Sequence, residues 1–180
     1  MKKIVLKLML VALTVGFVSC EDSDNTIDNL FANTQTGAFV RTLEEISDEV
    51  NLNDPSSAYA IRVEVQDEKF GDLFQSLDIY VIFDGDVTTD EALLTSYTPS
   101  DATNSDNDLP ELMLTSTFAE LASAAGVPQG DVMNNDDFDL RLVLNLTDGR
   151  SYTDSDVNGN VSGGAYFQAP MKYGIRAKDL

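Results

Sequence analysis

The sequence predicts an all-β domain, an antiparallel sandwich of about seven strands with one short helix. Three observations carry this expectation. Apolar and polar residues alternate at period two in several segments, as strands with one buried face require. Gly, Asn and Asp punctuate the chain between those segments, where turns are needed. No strand–helix–strand alternation occurs, which a parallel α/β sheet would demand. Seven short strands in roughly 140 residues pack naturally as two aligned sheets.

The elements follow in order. Phe39, Arg41 and Leu43 alternate with Ala38, Val40 and Thr42 in a first short strand. Tyr59, Ile61, Val63 and Val65 share one face of the next, with Arg62, Glu64 and Gln66 opposite. Leu77, Ile79, Val81 and Phe83 repeat the pattern, and Asp84-Gly85 marks a turn. Ala92 to Thr98 and Leu112 to Thr115 read as strands. Thr117-Phe118-Ala119-Glu120 fits a capping box, so a short helix runs to Ala125 and ends at Gly126 and Pro128. The clearest strand is Phe138 to Leu146, in which every second residue from Phe138 is Phe or Leu. A last strand is expected from Tyr166 to Arg176, at a sheet edge or bulged at Pro170, whose nitrogen has no hydrogen to donate.

The N-terminus differs in kind. Lys2, Lys3 and Lys7 precede an apolar run of 11 residues, Leu8 to Val18. That suits a secretion signal and falls short of the ~20 residues a membrane-spanning helix needs. The run ends in Phe17-Val18-Ser19-Cys20, which resembles the lipobox of bacterial lipoproteins, although Phe17 stands where Leu is usual. The resemblance implies cleavage before Cys20 and lipidation of its thiol. Cys20 is the sole cysteine, so no internal disulfide is available to it, whereas lipidation gives it a use. Residues 1–19 are therefore expected to be a signal peptide, 20–36 a lipidated cysteine with an acidic tether, and 37–180 the sandwich domain. The stretch EDSDNTIDNLFANTQT after Cys20 holds few residues that could pack. Its acidic start also resembles the surface-export signal of lipoproteins in Bacteroidetes; a plain soluble spacer is the alternative.

Without the leader, eight Lys+Arg face 31 Asp+Glu, a net charge of −23. Such a field repels nucleic acid and anionic surfaces. There is no histidine, which excludes Ser-His-Asp and Cys-His catalysis and leaves no zinc ligand set. No carboxylate pair stands out as the two groups glycoside hydrolysis needs. No catalytic residue is assigned, and binding rather than catalysis is expected.

Candidate binding residues are few. Asp154-Ser155-Asp156-Val157-Asn158-Gly159 matches the first half of an EF-hand-type loop, making Asp154, Asp156, Asn158 and Asn160 candidate calcium ligands. The twelfth position is Ala165, where a bidentate Glu is expected, so a polar hairpin loop is the alternative. Calcium is the one cofactor for which the sequence offers a place. Tyr97, Tyr152 and Tyr166 lie in or beside loops and could stack on a sugar ring, with Arg150 contacting hydroxyl or carboxylate. Half-buried strand tyrosines and an Arg paired with nearby acids are the competing readings. The last strand, if an edge, could accept an added strand from a partner.

Gly37-Ala38-Phe39-Val40-Arg41-Thr42, Val63-Glu64-Val65-Gln66-Asp67, Asp78-Ile79-Tyr80-Val81, Leu146-Thr147-Asp148-Gly149-Arg150 and Gly163-Gly164-Ala165-Tyr166-Phe167 together resemble Bacteroidetes lipoproteins that accompany SusC/SusD-type outer-membrane importers, loosely SusE-like. The resemblance implies an immunoglobulin-like sandwich anchored in the outer membrane at the cell surface, with a supporting role in capturing glycan or peptide for the transporter. The rival expectation is a structural or adhesive surface lipoprotein, a pilus or matrix component, with no small ligand.

Overall fold

A computed structural model of the chain describes residues 37–86, 88–164 and 168–180. The expected signal peptide, Cys20 and the acidic tether lie outside the described residues, as does Tyr166. No helix among the described residues is long and apolar enough to cross a membrane.

The described chain is all-β in character. Its strands are β1 (Phe39–Ser47), β2 (Glu49–Asn51), β3 (Ala58–Gln66), β4 (Phe74–Asp84), β5 (Ala92–Tyr97), β6 (Thr103–Asn104), β7 (Pro110–Thr117), β8 (Asp137–Leu146), β9 (Ser151–Tyr152) and β10 (Lys172–Lys178). Helix α1 (Phe118–Ala125) joins β7 to β8, and a four-residue helix α2 (Gly159–Ser162) lies between β9 and β10. A smaller sheet runs β1-β3-β7-β6. A larger one runs β2-β10-β8-β4-β5, with β9 also paired to β8. Pairing is antiparallel except for β2, which lies parallel to β10.

Period-two patterning explains how the sheets meet. Tyr59, Ile61, Val63 and Val65 of β3 are completely buried, as are Leu77, Ile79 and Val81 of β4 and Leu142 and Leu144 of β8. Residues of both sheets join one core cluster. Each such side chain contributes about 1.5–3 kcal/mol when removed from water.

The capping box forms as its letters predict. Thr117 Oγ1 accepts from the Glu120 N–H at 3.2 Å, and Glu120 Oε2 accepts from the Thr117 N–H at 2.8 Å. Gly126 ends the helix in the left-handed region at φ 72°. The buried face of α1, Phe118, Leu121, Ala122 and Ala125, reaches the core, where Phe118 meets Phe138 edge-on at 6.3 Å.

Three expectations are corrected. The last strand begins at Lys172 rather than Tyr166, because Gln168 (φ 46°) and Met171 (φ 57°) on either side of Pro170 break the extended path. It is also not a free edge: β8 pairs with one side and β2 with the other along Arg176–Lys178, so the site expected to accept a partner strand is already occupied there. Helix α2 is a second helix where one was expected. It belongs to the excursion that separates β9 from β10 on the same side of β8.

Candidate functional site

The outward face of the larger sheet carries a charged grid, set by strand register. Arg141 on β8 lies between Tyr80 on β4 and Lys172 on β10. One step along, Asp139 lies between Ile82 and Gly174; the next step places Asp137 between Asp84 and Arg176. Gly174 has no side chain, which leaves a hollow beside Asp139. Glu91, just before β5, and Asp154 and Pro170 of the excursion between β9 and β10 wall it in. The resulting groove has a volume of about 420 Å³.

Arg141 is held in place from two directions. Its Nε donates to Glu91 Oε1 at 2.7 Å and its Nη2 to Glu91 Oε2 at 2.5 Å. The guanidinium also lies 5.0 Å from the Tyr80 ring centre, within cation–π range. Hydrogen bonding to Arg141 lowers the Glu91 pKa despite partial burial. Asp139 goes the other way: burial raises its pKa, Asp84 and Asp137 add repulsion, and Lys172 opposes them. The groove thus sets charged groups of both signs around a small hollow.

The residues singled out from sequence fall in three places. Arg150 and Tyr152 come together, with Arg150 Nη1 3.3 Å from the Tyr152 hydroxyl. Arg150 is tied to Asp148 and Glu68 by Nη2 contacts of 2.7 and 2.8 Å, so its guanidinium serves the fold before any ligand. Those pairings raise the Arg150 pKa. Tyr97 is remote from that pair. Its hydroxyl accepts from the Thr115 N–H at 3.0 Å and donates to the Thr115 carbonyl at 3.3 Å, bridging β5 of the larger sheet to β7 of the smaller. It braces the domain, and burial raises its pKa.

Over the described residues 154–164 the EF-hand-type spacing gives a 3₁₀ turn and a short helix. Residues Asp154–Asp156 form a single 3₁₀ turn and Asn158 caps α2. Asp156 Oδ2 accepts from the Thr153 N–H at 2.8 Å, and Asn158 Oδ1 accepts from the N–H groups of Asn160 and Val161 at 3.0 and 3.3 Å. The Asp156 and Asn158 oxygens expected to face a cation are turned to helix ends, where Asp and Asn are favoured for the same chemistry. Among the described residues there is no cluster of three or more acidic, His or Cys side chains able to hold a metal. Asp154 alone of that set lines the groove.

Sequence reasoning missed Glu91, Asp139, Arg141 and Lys172 as a site. The one available signal was the pair of charges on the outward side of the clearest strand, Asp139 and Arg141.

An all-β chain with a charged hollow on one sheet face is what the fold and geometry define. No family model matches the sequence, and no curated protein matches it. Among solved structures, the sporulation control protein Spo0M of Bacillus subtilis superposes with a TM-score of 0.41 at 12% identity, over 79% of this chain and 50% of that one. The chain thus spans about half the length of Spo0M. Murine CRIg superposes with a TM-score of 0.33 at 6% identity, over 79% of this chain and 98% of that one.

Proposed function

We propose that this chain is a lipid-anchored, cell-surface binding module of an outer-membrane uptake system of the SusC/SusD type, taking glycan in the groove beside Arg141. The groove carries the reading: a hollow with Asp139, Asp154, Lys172 and the Arg141–Glu91 pair around it suits a ligand rich in hydroxyl groups. The lipobox-like Phe17-Val18-Ser19-Cys20 supports the anchor. An immunoglobulin-like sandwich is supported by the strand order. Read in chain order, β1-β3-β7-β6 corresponds to strands A, B, E and D of that fold, and β10-β8-β4-β5 to G, F, C and C′.

Two experiments test the reading. Metabolic labelling with palmitate should mark the wild-type protein and not the Cys20→Ser variant; equal labelling of both overturns the anchor. A glycan array probed with the wild-type protein should give ligands that Arg141→Ala loses. An array with no ligand, together with outer-membrane preparations in which the protein travels free of any transporter, overturns the uptake role and favours the structural or adhesive alternative.

A further inference from the structure

The loop joining β3 to β4 holds an unusual residue in an unusual way. Asp67 is 6% exposed, and its carboxylate accepts three backbone hydrogen bonds: from Lys69 at 2.7 Å and Gly71 at 3.1 Å on Oδ1, and from Leu73 at 3.0 Å on Oδ2. Closing the loop on that carboxylate places two successive residues in the left-handed region, Phe70 at φ 57° and Gly71 at φ 91°. Gly71 belongs there, since a Cβ would lie 2.2 Å from Cδ of Pro110. Phe70 does not fit that backbone well: left-handed conformations suit Gly and Asn and are avoided by bulky side chains. Its ring is nevertheless turned out to solvent and 76% exposed, more than any other large apolar side chain among the described residues. A rigid, locally unfavourable backbone that holds an apolar ring in water is preorganised for an external contact.

The position of the loop says what that contact is. Phe39 of β1 pairs with Gln66 of β3, so the chain enters the domain at Gly37 on the end that carries Phe70. The Thr147 N–H, just past β8, donates to the Leu73 carbonyl at 2.8 Å and fixes the loop at that pole. Sixteen residues lie between Cys20 and Gly37, so seventeen Cα–Cα steps bound their separation at about 60 Å of fully extended chain. One ring is too little to hold a protein on a bilayer from solution. Joined to an anchored lipid by a short segment, the same ring acts at a millimolar effective concentration.

We propose that Phe70 inserts at the headgroup–acyl boundary of the anchoring membrane and sets the domain upright on its Gly37 pole. The idea rests on the lipid anchor proposed above. Charge restricts the surface: one Arg150 is shared by Glu68 and Asp148, and Asp67, Asp72, Asp106 and Asp108 stand against Lys69 at this pole. Anionic lipid is repelled, so the ring enters uncharged lipid more readily than anionic lipid. The groove at Arg141, midway along β8, then stays open to the side.

The sequence has no Trp, so Phe70→Trp creates a sole reporter. Met133→Trp, at the other end of β8 and 55% exposed in the wild type, is the control. Both are prepared as the full lipidated protein in phosphatidylcholine vesicles with brominated acyl chains. Trp at position 70 should emit to the blue and be quenched several-fold more than Trp at 133, and the difference should shrink when phosphatidylglycerol is added. Equal quenching at both positions, in protein that floats with the vesicles, overturns the insertion and leaves the anchor standing. A blue shift that needs no lipid points to contact between copies of the chain and overturns it too. Protein that does not float with the vesicles overturns the anchor and the insertion together.

Discussion

Arg41 on β1 and Glu64 on β3 are direct cross-strand neighbours joined by a salt bridge, on the side of the smaller sheet that faces away from the core. The Glu64 side chain is completely buried there, under Arg41 and under Asn107, whose Nδ2 donates to Glu64 Oε2 at 3.1 Å. A carboxylate removed from water in this way depends on its cation. Arg41→Ala should destabilise the domain by about 3 kcal/mol, since it leaves a buried charge uncompensated. Replacing both together, as Arg41→Met with Glu64→Leu, should recover most of that loss. Urea unfolding of the single and double variants is the measurement.

Asp67→Ala removes the acceptor for three backbone N–H groups at once. The expected loss is about 2–3 kcal/mol by urea unfolding, because hydrogen bonds to a charged group exceed the neutral kind and two of the donors here are buried. Peptide bonds between residues 67 and 73 should also become accessible to protease before the rest of the domain.

Tyr173 makes stability fall in alkali. Its hydroxyl lies 2.8 Å from Thr42 Oγ1, and burial pushes its pKa up to about 12 from an ordinary value of 10. Above pH 10 the unfolded chain gives up this proton while the folded chain keeps it. Stability contributed below pH 10 is therefore lost as pH rises from 10 to 12, by about 1.4 kcal/mol per pH unit. Tyr173→Phe should flatten that slope in urea titrations at pH 9, 10 and 11.

Arg141→Lys should separate the groove from the fold. The Arg141–Glu91 pair is about one-third exposed on each side, so stability should change by less than about 1 kcal/mol. Lys offers neither the two-pronged contact to Glu91 nor the planar stack on Tyr80. Affinity for a glycan found on the array should fall by about tenfold in calorimetric titration, a loss of roughly 1.4 kcal/mol.

Tyr97→Phe deletes the hydroxyl that joins β5 to the Thr115 backbone. A loss of about 1 kcal/mol is expected in thermal unfolding. Hydrogen exchange should quicken first at Thr115, whose N–H donates to that hydroxyl.

Much of the fold was legible because its determinants are local. Alternation at Tyr59–Val65, Leu77–Phe83 and Phe138–Leu146 marks strands whatever lies across from them, since side chains in extended chain point to opposite faces. The helix start at Thr117 was readable to the residue, because a capping box is a contact between residues three apart. Elsewhere the same letters suit two local solutions. Asp154, Asp156 and Asn158 satisfy calcium spacing and helix capping alike, and the structure uses Asp156 and Asn158 as caps. The expected strand from Tyr166 failed at Gln168 and Met171, whose left-handed backbone no periodicity announces.

The sequence by itself determined the all-β class, the buried faces and the single helix between β7 and β8, all consequences of residue spacing along one chain. Tertiary structure alone decided that Glu64, on a polar face, is buried under Arg41; that Glu91 reaches Arg141 fifty residues away; and that Lys172 borders the same groove. The physical reason is register. Which side chains meet across a sheet depends on strand order and offset, and those are set by the packing of the whole core rather than by any stretch of sequence.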